Sequence, residues 1–245
     1  MPPVQDVLPC GCNYHFTGKI HSGYCFLGVK MRAYIKSKTF WLSLLLFTAV
    51  PLLILWAGGT VSGRSSYMET LSVLTIVAFF QLIGQFFQTR GNRYAVKELT
   101  MNKVLKYHKC IGYIFVLIIL FHPIFVLIPR FTEAGISPGD AFITMITTMN
   151  QGIILGLIAW CTLLALGVTA LFRKRLPMKY RRWRVLHGAL AILFVGTAAW
   201  HAVNLGRHST LVMAVVLSLL TAGGVALLLK VHATQKGLSE SGIEK

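Results

Sequence analysis

The sequence predicts an all-α, polytopic membrane protein, a six-transmembrane-helix bundle with both termini cytoplasmic. Three observations predict it. The chain of 245 residues is 55% hydrophobic and only 13% charged; its charges leave six long blocks untouched; and 24 Lys and Arg against 7 Asp and Glu fall almost wholly on alternate sides of those blocks. A soluble domain carries about 25% charged residues, so a chain this apolar cannot cover a water-facing surface. A soluble globule, a disordered chain and a secreted disulfide scaffold are therefore excluded. A pI near 10.1 points to phosphate partners in a soluble domain. In a polytopic membrane protein, however, loop orientation itself requires an excess of Lys and Arg, and no nucleic-acid partner is expected.

The uncharged blocks are residues 39–63, 70–89, 110–129, 141–172, 185–206 and 208–229. Crossing about 30 Å of hydrocarbon takes roughly 20 mostly apolar helical residues, and every block is long enough. Residues 1–38 form a polar cytoplasmic N-terminal segment. They hold no apolar run behind a basic start, so no cleaved signal peptide is expected. The first helix is expected over residues 40–57, kinked by Pro51 and ended by Gly58 and Gly59. The second is expected over 68–88, and the third over 107–128, closed by Pro129. The fourth runs over 148–172, with 141–149 either interfacial or an extension of it. The fifth and sixth occupy 185–205 and 210–229. The bundle thus spans residues 39–230, followed by a short cytoplasmic tail, 231–245.

Orientation follows from the basic residues. Segments 1–39, 89–109, 173–184 and 230–245 hold 5, 6, 7 and 3 Lys or Arg, whereas the three opposite loops hold one each, Arg64, Arg130 and Arg207. By the positive-inside rule the basic side is cytoplasmic. The alternation also supports six crossings, because a missed one would put basic clusters on both sides.

Four of the eight histidines lie on the third and fifth helices, His108 and His122 on one, His187 and His201 on the other. Both pairs are 14 residues apart. Fourteen helical residues rise about 21 Å and fall about 40° short of four full turns, so each pair lies along one face at two depths. The two helices run in the same direction. His108 and His187 therefore share a level near the cytoplasmic surface, and His122 and His201 a level nearer the outside. This arrangement suits two b-type haems stacked across the membrane, each iron taking one imidazole from either side. The 21 Å rise excludes one metal held by all four. A zinc or copper site lacks further ligands, since neither span holds Asp or Glu, nor any Cys beyond Cys110. The plainer alternative is that these histidines join helices by hydrogen bonds, although ionisable groups at membrane depth are costly and rarely idle.

The run His108-Lys-Cys-Ile-Gly112 leading to Leu120-Phe-His122-Pro123, and the run Trp183-Arg-Val-Leu-His187 leading to Trp200-His201, resemble the paired-histidine helices of the ferric reductase-like transmembrane domain. That family includes NADPH oxidases, metalloreductases and the haem subunit of a bacterial periplasmic methionine sulfoxide reductase system. The resemblance covers about residues 40–230. It implies electron transfer across the membrane, from a reduced cytoplasmic flavin through an inner to an outer haem. Family members that work alone carry a flavin and nicotinamide lobe after the sixth helix. Here residues 230–245 are too few to fold one, and no Gly-x-Gly-x-x-Gly lies between a strand and a helix. FAD or FMN is therefore expected on a separate partner, or held at the cytoplasmic face.

Haem propionates want cationic neighbours. At the inner level Lys106, Lys109, Arg182 and Arg184 lie within one or two turns of His108 or His187, and at the outer level only Arg64, Arg130 and Arg207 are available. All of them also serve as ordinary loop anchors. Residues 173–184 carry seven cations and can dock an acidic flavoprotein or a flavin phosphate, or simply sit at an anionic leaflet. Pro123 after His122 bends the third helix. Cys10, Cys12 and Cys25, with His15 and His21 between them, match no zinc spacing. Cys110 and Cys161 are expected to be packing residues, His208 and His232 to be exposed helix ends, and Gly152 with Gly156 to permit close helix contact.

The expected function is that of a di-haem b electron-transfer protein of the cell membrane, multi-pass and of bacterial inner-membrane type. It would serve as the membrane component of an oxidoreductase, between a cytoplasmic flavoprotein reductase or flavin donor and an extracytoplasmic electron acceptor. Ferric iron, dioxygen, a quinone and a periplasmic redox partner remain open as acceptors. A quinone-linked cytochrome b anchor subunit is the alternative within redox chemistry. A haem-free transporter is disfavoured because the six blocks hold no charge to couple to an ion.

Overall fold

The structure, a computed structural model, describes residues 38–59, 66–88, 101–132, 137–147, 150–206 and 208–240, all within the unit Ser37–Lys245. These residues are helical, with no strand among them, and six of their helices are long and apolar enough to cross a membrane. The helices are α1 Lys38–Gly58, α2 Ser66–Phe87, α3 Met101–Thr132, α4 Pro138–Thr147, α5 Gln151–Leu171, α6 Tyr180–Leu205 and α7 Leu211–Glu240.

Local chemistry explains the boundaries. α1 runs through Pro51 and stops at Gly58, and Gly59 then takes a left-handed φ of 75°, a conformation that glycine adopts without Cβ strain. α4 is a separate helix and not an extension of α5. Ser137 caps it by accepting from Asp140 N at 3.1 Å, its own hydroxyl donating to Asp140 Oδ2 at 2.7 Å, and Pro138 takes the first helical position. Asn150 then starts α5 afresh, its side chain accepting from Ile153 N. Thr210 caps α7 by accepting from Met213 N.

Four expected limits are corrected, the first being the start of α3, which lies at Met101 and not at residue 107. α3 does not close at Pro129 but continues to Thr132, because a proline in a last turn removes one donor without stopping the turn that precedes it. α6 begins five residues early, at Tyr180, and α7 continues past residue 229 to Glu240. The charged flanks of both are good helix formers, so an uncharged block marks the apolar span and not the helix.

α2 is the most enclosed helix, packed by α1, α3 and α7, while α5 lies closely along α6 and also meets α3. Phe47, Phe79, Phe80, Leu82, Ile83, Leu163, Phe194, Val195 and Leu217 form the apolar centre. On α2, Gly84 lets Phe47 of α1 approach so closely that an added Cβ would lie 2.9 Å from its ring. Elsewhere large apolar side chains face outward, Trp56 and Leu211 among the most exposed, as lipid-facing helices require. Cys110 and Cys161, expected to pack inside, lie on this exposed surface.

Candidate functional site

α3 and α6 carry the four histidines, yet these helices scarcely touch along their backbones; α3 is held by α2 and α5, and α6 by α5 and α7. Across the intervening space the side chains meet in the expected pairs. The rings of His108 and His187 have centroids 6.4 Å apart with planes at 72°, and those of His122 and His201 are 6.5 Å apart at 80°. All four side chains are half-buried. Equal spacing on two parallel helices has thus produced two facing pairs of nearly the same separation.

The pairs differ in what holds the rings. His201 Nδ1–H donates to the carbonyl oxygen of Gly152 on α5 at 2.8 Å. The carbonyl can only accept, so the proton is on Nδ1 and Nε2 is left bare in the neutral ring. The same α5 face explains Gly156, where a Cβ would lie 2.5 Å from His201 Nδ1; at Gly152 it would lie 2.6 Å from Leu205 Cγ. The Gly152–Gly156 step therefore does more than bring two helices together: it makes a floor for one imidazole. Trp160, one turn further along α5, donates from Nε1 to the Leu120 carbonyl oxygen at 3.0 Å, tying α5 to α3 two residues from His122.

At the other level, Nδ1 of His108 and Nδ1 of His187 are buried and make no hydrogen bond among the described residues. His187 is held by stacking instead: the Trp183 ring lies 5.0 Å away at 27°. Trp183 is anchored by its Nε1–H, which donates to the Thr169 carbonyl oxygen at 3.1 Å. Its role was visible only as a residue of the Trp183-to-His187 run, although a spacing of four residues puts both rings on one helix face.

Of the cations expected nearby, Arg184 lies over the Tyr180 ring at 5.9 Å, and Lys109 is exposed on α3 beside His108. Arg130 is in the last turns of α3, but its side chain lies outside the described residues, as do Arg64, Arg207, Cys10, Cys12 and Cys25. His208 is not an exposed helix end. Its side chain is 9% exposed, and Nε2 lies 3.1 Å from Oε1 of Glu69 in the first turn of α2. His232 is half-buried, with Nδ1–H donating to the Leu228 carbonyl oxygen at 2.9 Å.

The ferric reductase like transmembrane component family matches residues 74–198, just over half of the chain. This chain belongs to that family. A protein of Archaeoglobus fulgidus described as uncharacterized is 40% identical over 159 residues, which cover 65% of this chain and 87% of the relative. No solved structure matches. The ferric reductase-like match takes in His108, His122 and His187 and ends three residues before His201. Membership points to a membrane electron-transfer module.

Ferric reductase-like proteins usually bind haem, and the donor set here fits that group. Two imidazoles bound on opposite sides of one metal, each at about 2.0 Å, stand with ring centres roughly 6 Å apart, close to both observed separations. Among the described residues no three of His, Cys, Asp and Glu gather together. Each pair thus offers two imidazoles, the number of protein ligands that a six-coordinate haem would need beside its four porphyrin nitrogens.

Proposed function

We propose that the chain is a di-haem b membrane electron-transfer protein, with His108 and His187 holding an inner haem and His122 and His201 an outer one. When bound, haem supplies a one-electron iron couple at each level. The observation that carries this reading is the pair of facing imidazoles at 6.4 and 6.5 Å, presented by helices whose backbones scarcely touch. The chain's own work is positional. α5 sets the His201 ring through the Gly152 carbonyl, Trp183 sets the His187 ring by stacking, and the apolar bundle keeps water from both levels.

Lys109, Arg184 and Arg130 are proposed to neutralise propionates at the two membrane edges. We place both termini and the basic segments in the cytoplasm of a multi-pass cell-membrane protein, with residues 39–230 as the haem domain. The donor is then a cytoplasmic flavin or flavoprotein, and the acceptor lies on the opposite face.

An absorbance spectrum of protein purified after haem-replete expression tests the reading. Dithionite should develop b-type bands at close to two haems per chain. His108→Ala or His187→Ala should remove one haem and leave the outer level partly loaded; a colourless wild-type protein would refute the proposal.

A further inference from the structure

The inner pair is asymmetric. Among the described residues, His108 meets only the His187 ring, edge-on at 72°, whereas His187 ends a column of stacked rings reaching the surface. Tyr180, Trp183 and His187 stand at spacings of three and four on α6, which puts them on one helix face. Tyr180 stacks on Trp183 at 5.9 Å and 16°, and Trp183 on His187 at 5.0 Å and 27°. Arg173, from the short turn Arg173–Arg175 after α5, caps the column, its guanidinium 4.2 Å from the Tyr180 centroid and 4.8 Å from that of Trp183. Trp183 is further pinned through Nε1 to Thr169.

We infer that this column is the route by which electrons reach the inner pair, and that its outer end docks an acidic electron-carrier protein presenting a planar redox group. The inference rests on the proposed haem-ligand role of His187. Four observations support it. Tyr180 and the cations Arg173, Lys174, Arg175, Lys179, Arg181 and Arg182 are exposed, and no Asp or Glu occurs between residues 173 and 184. Such a single-sign surface attracts and orients an acidic protein. Among the described residues, Tyr180 and the surrounding cations are exposed rather than enclosed as the lining of a small-cofactor cavity is, so a group carried on another protein suits them better than a free nucleotide. An anchor for anionic lipid needs the charges alone; it does not need two rings aligned on a half-buried histidine. Finally, tunnelling falls steeply with distance, and stacked rings shorten the gaps between the surface and His187. One electron moves per event from the carrier's reduced group to the inner level, and no bond forms or breaks on the column.

The test uses the full chain in nanodiscs, with a flavodoxin, an acidic protein carrying FMN at its surface, as the probe. Equilibrium binding of oxidised flavodoxin and the rate of haem reduction by its hydroquinone form are measured for the wild type, W183L, W183F, R173Q and the triple variant K174E/R175E/R181E. Dithionite reduction, haem content and thermal melting serve as controls. Per haem retained, W183L should slow reduction by flavodoxin while leaving flavodoxin binding and the dithionite reduction rate unchanged, and W183F, which keeps a ring, should restore the flavodoxin rate. R173Q should weaken binding about two- to fivefold, the loss of one exposed cation facing an acidic partner. The triple variant should abolish the salt dependence of binding. If haem-replete W183L, or Y180L should W183L fail to fold, is reduced by flavodoxin at the wild-type rate, the column is refuted. Binding that follows the anionic lipid content of the disc, or free FMN that binds and reduces as well as flavodoxin does, overturns the docking proposal. A wild type without haem would instead overturn the reading beneath it.

Discussion

The Nδ1 atom of His201 lies 2.8 Å from the carbonyl oxygen of Gly152, across the interface between α6 and α5, and Gly156 provides the floor beneath the same ring. A histidine held in this way is oriented by its own neighbours, and its ring nitrogens are no longer equivalent. Gly156→Ala would place a Cβ 2.5 Å from Nδ1, so the ring must move or α5 must separate from α6. Overpacking of this kind costs about 1–3 kcal/mol. Under the proposed di-haem reading, haem content should fall from near two to near one per chain, with the His108–His187 haem retained; two haems in Gly156→Ala would show that His201 tolerates displacement.

Trp160 makes the corresponding tie for α3. Trp160→Phe keeps most of the ring but loses the Nε1–H bond to Leu120, a change of about 1 kcal/mol. For a chain of this length the melting temperature should drop by about 2–4 °C, as measured by thermal unfolding in detergent. A larger fall would assign the tryptophan a packing role beyond its hydrogen bond.

On α2, Gln81 is fully buried and donates from Nε2 to Thr48 Oγ1 at 2.8 Å, while its Oε1 accepts nothing among the described residues. Thr48→Val leaves a buried amide with only the Leu44 carbonyl oxygen, at 3.4 Å, as acceptor, whereas Gln81→Leu removes the amide together with its unsatisfied oxygen and leaves a hydroxyl free to rotate to another acceptor. Thr48→Val should therefore destabilise the protein by about 1–3 kcal/mol, while Gln81→Leu should be closer to neutral. Chemical denaturation of the two variants side by side decides this, and the reverse order would mean that Gln81 has a further donor.

Glu69 and His208 join the start of α2 to the segment before α7 at 3.1 Å, with side chains 27% and 9% exposed. A double-mutant cycle with Glu69→Gln and His208→Gln should return a coupling of about 1 kcal/mol, because the pair is only partly screened by solvent. Additive single effects would mean that the contact is geometric and carries no energy.

Much of this protein was legible in the chain. Uncharged blocks predicted the crossings because lipid admits few charges, and the 14-residue spacing put His108 with His122, and His187 with His201, on single faces because the α-helical period is a local property. The helix ends were less legible. α3 continues beyond Pro129, and α6 starts at Tyr180 within the basic segment, since the end of apolar character and the end of helical hydrogen bonding are different events.

The sequence by itself determined the class, the number of helices able to cross a membrane and which histidines share a level. Those properties depend on composition and on the period of a single helix. Only the tertiary structure decided the lateral partners: Gly152 and Gly156 beneath His201, Leu120 facing Trp160, Thr48 facing Gln81, and Glu69 beside a His208 that had looked exposed. A helical period tells which face a residue occupies, not which helix lies opposite. Within a bilayer the choice of neighbour comes from close packing and hydrogen bonds between helices, and those interactions join residues that are tens of positions apart in the chain.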